Sequence, residues 1–130
     1  MTSYLLDTNI LIDYSRGVPA AVEAVQALIE TGAELGLCAI CVAEFFSGVQ
    51  PGRYPAVDQF LRELDYWPIT YDDALRAGAY RYHFARQGIQ LSMTDMLIAA
   101  VAHRVGATVL TENVKDFPMD DLTAISLASL

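Results

Sequence analysis

The chain opens with a short apolar run that stops on an acid, Tyr4-Leu5-Leu6-Asp7, and this stretch limits what the rest can be. With no polar face to show to water, residues 4–6 read as a buried parallel strand. Thr8 and Asn9 then offer helix-capping side chains, and Ile10, Leu11 and Tyr14 follow at helical spacing. Asp7 thus falls where a strand ends and a helix begins. Ligands of open α/β sheets bind in the crevice outside the carboxyl ends of the strands, so Asp7 is a candidate site residue as well as a candidate cap.

The alternation continues along the chain. Arg16-Gly17-Val18-Pro19 is a turn, and Val22, Val25, Leu28 and Ile29 predict a helix over 19–31 that stops at Gly32. Residues 34–39 read as a second strand and 40–49 as the helix after it. That helix carries one carboxylate, Glu44, among Val42, Phe45, Phe46 and Val49. A helix over 53–65 follows, then an extended piece, 66–69, which Pro68 confines to a sheet edge. Residues 72–87 predict another helix. Ser92 is placed to cap a nearly all-apolar helix with Asp95 in its first turn, and Gly106 ends it. A buried strand over 107–111, a polar turn over 112–118 and a last strand over 122–127 complete the pattern. Short strands interleaved with helices predict an α/β fold, a mainly parallel sheet covered on both faces, in one domain over 1–130.

Composition narrows the function. The 130 residues are 54% hydrophobic, enough for one substantial core. No apolar run reaches the roughly 18–20 residues of a membrane helix. The N-terminus lacks the pattern of a signal peptide, so a cytoplasmic protein with no membrane association is expected. Cys38 and Cys41 stand three apart in an apolar run with no second pair, and read as buried thiols. His83 has no other ligand type at metal-binding spacing and reads as a helix-surface residue. The net charge of −8 argues against a protein that holds nucleic acid on a broad basic face. It leaves room for a nuclease whose acids are neutralised by metal, and it suits a basic partner.

Four acids, Asp7, Glu44, Asp95 and Asp116, each fall at a strand end or at the start of the helix or turn that follows. Taken singly, each has an ordinary structural role as a cap or a solvated side chain. Converging on one sheet edge, they would repel one another and raise each other's pKa values. A divalent cation removes that cost, and oxygen-only ligation suits Mg²⁺ or Mn²⁺. Such an ion activates water and offsets charge on phosphorus, which is the chemistry of phosphodiester hydrolysis. On charge repulsion alone, Asp7→Asn and Asp95→Asn should leave the fold intact or more stable.

Four stretches carry a resemblance: residues 5–13 (LLDTNILID), 42–48 (VAEFFSG), 92–100 (SMTDMLIAA) and 111–117 (TENVKDF). In this order and spacing they resemble the motifs of PIN-domain ribonucleases, in particular the VapC toxins of type II toxin–antitoxin systems. The resemblance implies a three-layer α/β/α domain and a Mg²⁺- or Mn²⁺-dependent endoribonuclease. It also implies a homodimer inhibited by a VapB-like antitoxin that places a basic segment in the acidic pocket. By the same resemblance Asp7 and Asp95 are the metal-holding acids, Glu44 binds metal or positions water, and Asp116 is the fourth acid. Asn9 and Thr111 match positions that orient the carboxylates. Glu112 departs from the pattern and is an alternative fourth carboxylate; Arg16, Arg53, Arg81, Arg86 and Lys115 are candidates for RNA phosphates. A catalytically silent PIN-fold binding protein is the alternative. A phosphoacceptor receiver fits less well, since Asp7 has no adjacent acid, and a haloacid dehalogenase-like phosphatase wants an acid where Asn9 stands.

Overall fold

A computed structural model describes residues 2–130 and shows five strands and six α-helices among them. In chain order these are β1 (Ser3–Leu6), α1 (Thr8–Ser15), α2 (Pro19–Glu30), β2 (Glu34–Leu37), α3 (Ala39–Phe46) and α4 (Tyr54–Arg62). Then follow β3 (Asp65–Tyr66), α5 (Tyr71–Arg86), α6 (Met93–Val105), β4 (Thr108–Leu110) and β5 (Ala124–Ile125). The strands form one parallel sheet in the order β3-β2-β1-β4-β5. The first strand of the chain is therefore the middle of the sheet, with Leu5 opposite Gly36 on one side and Val109 on the other. Leu5, Leu6, Val109 and Leu110 are fully buried, as the apolar runs predict. The expected α/β/α arrangement is the one observed.

Helix α6 shows why its sequence tolerates no polar face. Met96 and Ile98 through Ala102 are all fully buried, and the helix packs against α5 and the sheet. Ser92 caps it by accepting from the Asp95 amide at 3.1 Å, and Gly106 closes it at φ +71, where other residues would be strained. The predicted helix over 53–65 is shorter than expected. Pro51–Arg53 form a 3₁₀ turn and α4 begins at Tyr54, because Pro55 fits only the first turn of a helix.

The β3 edge is sealed by Trp67. Its amide donates to the Leu37 carbonyl at 2.8 Å, after which Pro68 has no N–H to continue the pairing. The indole lies on Gly36, where a Cβ would meet ring carbons at 2.5 Å. Nearby, Thr70 and Asp73 form a capping box at the start of α5, and the buried Asp73 also accepts from Arg104 Nε at 3.0 Å. Burial alone would raise the Asp73 pKa. The hydrogen bonds from Arg104 and Thr70, with the Arg104 charge, outweigh burial and hold it below the ordinary carboxylate value. Arg104 Nη2 also reaches the Pro68 carbonyl at 2.7 Å, tying the edge loop to α6.

Two stability measurements check these placements. Gly36→Ala forces the Trp67 ring off β2 and should cost about 1–3 kcal/mol in urea unfolding. Asp73→Asn should cost about 1–3 kcal/mol at pH 7. A depressed folded-state pKa stabilises above the unfolded value of about 3.9, so the gap between Asp73→Asn and wild type should close as pH falls through the folded value.

Candidate active site

Asp7 is the residue on which the site is built. It follows β1 directly, is 6% exposed, and is itself the N-cap of α1: Oδ1 accepts from the Thr8 amide at 2.8 Å. Of the cap candidates, Asp7 is the one that caps, rather than Thr8 or Asn9, because the turn into the helix comes one residue earlier than they require. The other oxygen, Oδ2, accepts from the Thr111 hydroxyl at 2.8 Å, and the Asp7 amide donates to the Leu110 carbonyl at 3.0 Å. Thr111 directly follows β4, so these bonds join the ends of two neighbouring strands. The chain leaves β1 towards β2 on one side and β4 lies on the other, which makes this the switch point of the sheet. The Thr111 oxygen accepts in turn from the Asn113 amide at 3.0 Å, fixing the loop that leads to Asp116.

The remaining acids come to the same edge from separate elements. Glu44 lies in α3, exposed, and its Oε1 accepts from the Thr8 hydroxyl at 2.9 Å. Asp95 lies in the first turn of α6, half-buried. Asp116 ends a 3₁₀ turn, Val114–Asp116, anchored by the buried Phe117. Burial raises the Asp95 pKa; Ser92 works against it, and the negative charges of Asp7, Asp116 and Glu44 raise it further. The charges of the other three carboxylates therefore all reach Asp95 across the sheet edge.

Among the described residues no three His, Cys, Asp or Glu side chains already enclose a point where an ion would sit. The charges of Asp7, Asp116 and Glu44 reach Asp95, yet no three of the acids are close enough to share one ion. Mg²⁺ needs only one or two carboxylates and keeps several waters, so an all-oxygen set of this looseness fits Mg²⁺ or Mn²⁺. It does not fit structural zinc, which wants a closed set of sulfur and nitrogen ligands. Cys38 and Cys41 are both buried with sulfurs 3.9 Å apart.

Other sequence candidates are placed elsewhere. Asn9 Oδ1 accepts from the Glu112 amide at a long 3.4 Å, which pins the Glu112 backbone. The Glu112 side chain lines a different cleft, with Asp13 and Glu23. His83 sits on the exposed face of α5 and pairs with Gln87 at 3.0 Å. Arg86 lies over the Tyr82 ring, 4.4 Å from its centroid, and Arg81 and Lys115 are exposed. The residue the sequence reading missed is Thr8, whose hydroxyl orients Glu44. Its only signal was a hydroxyl adjoining Asp7, which reads equally well as a helix cap.

Comparison with known proteins gives a consistent picture. The PIN domain family matches residues 4–118. Ribonuclease VapC19 of Mycobacterium tuberculosis is 36% identical over 118 residues, which are 88% of this chain and 92% of that protein. Among solved structures, VapBC-1 from nontypeable Haemophilus influenzae superimposes with a TM-score of 0.83 at 23% identity, covering 98% of this chain and 99% of that one. A toxin–antitoxin complex from Klebsiella pneumoniae gives a TM-score of 0.79 at 25% identity, covering 95% and 97%.

The hydrogen bonds separate two substitutions that charge repulsion alone treats alike. A raised folded-state pKa stabilises below the unfolded value and costs stability once pH rises through the folded value. Asp95→Asn should therefore raise Tm in EDTA at pH 7 by up to ~3 °C, with the gain fading as pH falls through the carboxylate range. Asp7→Asn keeps one acceptor oxygen where Asp7 uses two, so either the Thr8 amide or the Thr111 hydroxyl loses its partner, and the variant should lose about 1–2 kcal/mol under the same conditions. Thermal melts of the two variants from pH 4 to pH 8 check both.

Proposed function

The chain belongs to the PIN-domain family, and on that premise we propose that it is a VapC-type endoribonuclease, the toxin of a type II toxin–antitoxin pair. The observation that carries the reading is the convergence of Asp7, Glu44, Asp95 and Asp116 from four separate segments on one sheet edge. No helix among the described residues is long and apolar enough to cross a membrane, and we place the activity in the cytoplasm.

In this reading Asp7 and Asp95 hold a divalent cation, Mg²⁺ or Mn²⁺, with Glu44 and Asp116 beside them. When bound, the ion lowers the pKa of water and offsets the charge that develops on the phosphate. The protein's own contribution is to hold the acids still. Thr111 and the Thr8 amide fix both oxygens of Asp7, so its carboxylate cannot turn away from the mouth of the site. The Thr8 hydroxyl holds one oxygen of Glu44 beside Asp7. Ser92 fixes the first turn of α6 and with it the position of Asp95. Such outer supports are commonly worth 10–100-fold in affinity or activity.

The unsatisfied negative charge also suits an inhibitor that brings a basic side chain into the cluster. That is the expected part of a VapB-like antitoxin, in keeping with the toxin–antitoxin complex that shares this fold. Residues 1–130 act as one PIN domain, and a homodimer is the expected assembly.

Purified protein incubated with total cellular RNA and Mg²⁺ or Mn²⁺ should cut it, and EDTA should abolish cutting. Asp95→Asn should reduce the rate by about 100-fold or more, and Thr111→Val by about 10–100-fold. If RNA is cut equally with and without metal, or equally by Asp95→Asn, the acids are not the catalytic cluster. If RNA is bound but never cut, the protein is a PIN-fold binding module.

A further inference from the structure

We propose that the cleft between α1, α3 and α4 is the lane that holds RNA beside the acid cluster. Arg16 and Arg53 take its phosphates, and the rings of Tyr14 and Phe60 take an unstacked base. This rests on the ribonuclease reading above. The cleft has a volume of about 740 Å³, and its walls include Arg16, Arg53 and Gln50 together with Tyr14, Phe45 and Phe60. Its charge sets it apart. The chain has 16 acidic and 8 basic residues, yet two of the basic ones line this cleft and no acid does. Three other arginines are committed to carboxylates, Arg62 to Asp58, Arg76 to Asp121 and Arg104 to Asp73. Arg16 and Arg53 have no carboxylate within 4 Å among the described residues.

The aromatic side chains supply the second half of the argument. Tyr14 and Phe60 are partly buried against the core with ring centroids 5.7 Å apart, and the buried Phe45 backs Phe60 at 6.2 Å. Partly open rings beside free guanidinium groups are the combination that single-stranded RNA uses, bases on rings and phosphates on cations. A peptide without apolar side chains would match the arginines but not the rings. The cleft also adjoins the acids through two helices. Asp7 caps one end of α1 and Arg16 the other, roughly 13.5 Å apart by helical rise. Glu44 immediately precedes Phe45 in α3. On the α2 side of α1 a second cleft, of about 990 Å³, has Asp13, Glu23 and Glu112 on its walls. A polyanion is repelled there and steered to the arginine side.

The test uses the full chain carrying Asp95→Asn, in EDTA, with a fluorescent single-stranded oligoribonucleotide and anisotropy titrations from 50 to 300 mM KCl. Adding Arg16→Gln and Arg53→Gln should weaken binding about 10-fold or more and flatten the slope of log K against log salt by about 1.4, two phosphates' worth. Arg16→Lys with Arg53→Lys should recover most of that slope. Phe60→Leu should weaken binding about 5-fold or more with the slope unchanged. Equal affinity and slope in the glutamine pair would overturn the lane, whether or not wild type cuts RNA with metal. So would a glutamine pair that keeps RNA affinity but loses affinity for a Glu- and Phe-rich peptide, since the cleft would then be a protein-docking surface. If the parent binds no RNA and wild type cuts none, the lane and the ribonuclease reading fall together.

Discussion

The bond between Asp7 and Thr111 is the constraint on which the rest of the site depends. It ties the end of the central strand to the end of its neighbour, and it does so with the carboxylate that most needs a fixed direction. Because the Asp7 amide also pairs with Leu110, the acid is held by backbone on one side and by a hydroxyl on the other. Thr8, next in sequence, extends the support to Glu44 on α3. Three segments far apart in the chain are thereby positioned by hydrogen bonds to two consecutive residues. The result is a rigid first half of the site, onto which Asp95 and Asp116 bring their charges from α6 and from the turn after β4.

The same arrangement explains where stability is spent. A buried pair such as Asp73 with Arg104 shows how this protein treats an acid that has only a structural role: the charge is matched and satisfied. The cluster at the sheet edge is treated in the opposite way. Asp95 is pressed by three like charges and by burial, with no cation from the protein to relieve it. Among the described residues none of the arginine–carboxylate pairs involves a member of the cluster. An unfavourable charge arrangement kept in an otherwise well-satisfied fold is the physical mark of a candidate functional site.

Much of this was legible in the sequence for a simple reason: the strands are buried on both faces, so apolar runs ending on acids or turn residues mark them directly. Tyr4 to Asp7 and Ala107 to Thr111 are plain in that sense. The nearly all-apolar α6 announced its own burial and put Asp95 at the edge of the core. What local patterns could not carry was partnership. Nothing near Thr8 says that its hydroxyl meets a residue 36 positions on. Nothing near Gly36 says that an indole from the far end of the next strand lies across it. Proline positions were legible at Pro68, where an edge was expected and found, but the helix expected from 53 instead begins at Tyr54, behind a 3₁₀ turn.

The place of β1 in the sheet has a consequence for how the protein is made. The strand synthesised first sits in the middle, and its second partner, β4, arrives only at Thr108–Leu110, near the end of the 130-residue chain. The hydroxyl that fixes Asp7 comes 104 residues after it. A growing chain can pair β1 with β2 early, but it cannot close the switch point until β4 has left the ribosome. Fragments released before that point lack Thr111, and those released before α6 lack Asp95 as well. The site proposed to cut RNA is thus assembled only when almost all of the sequence has been read.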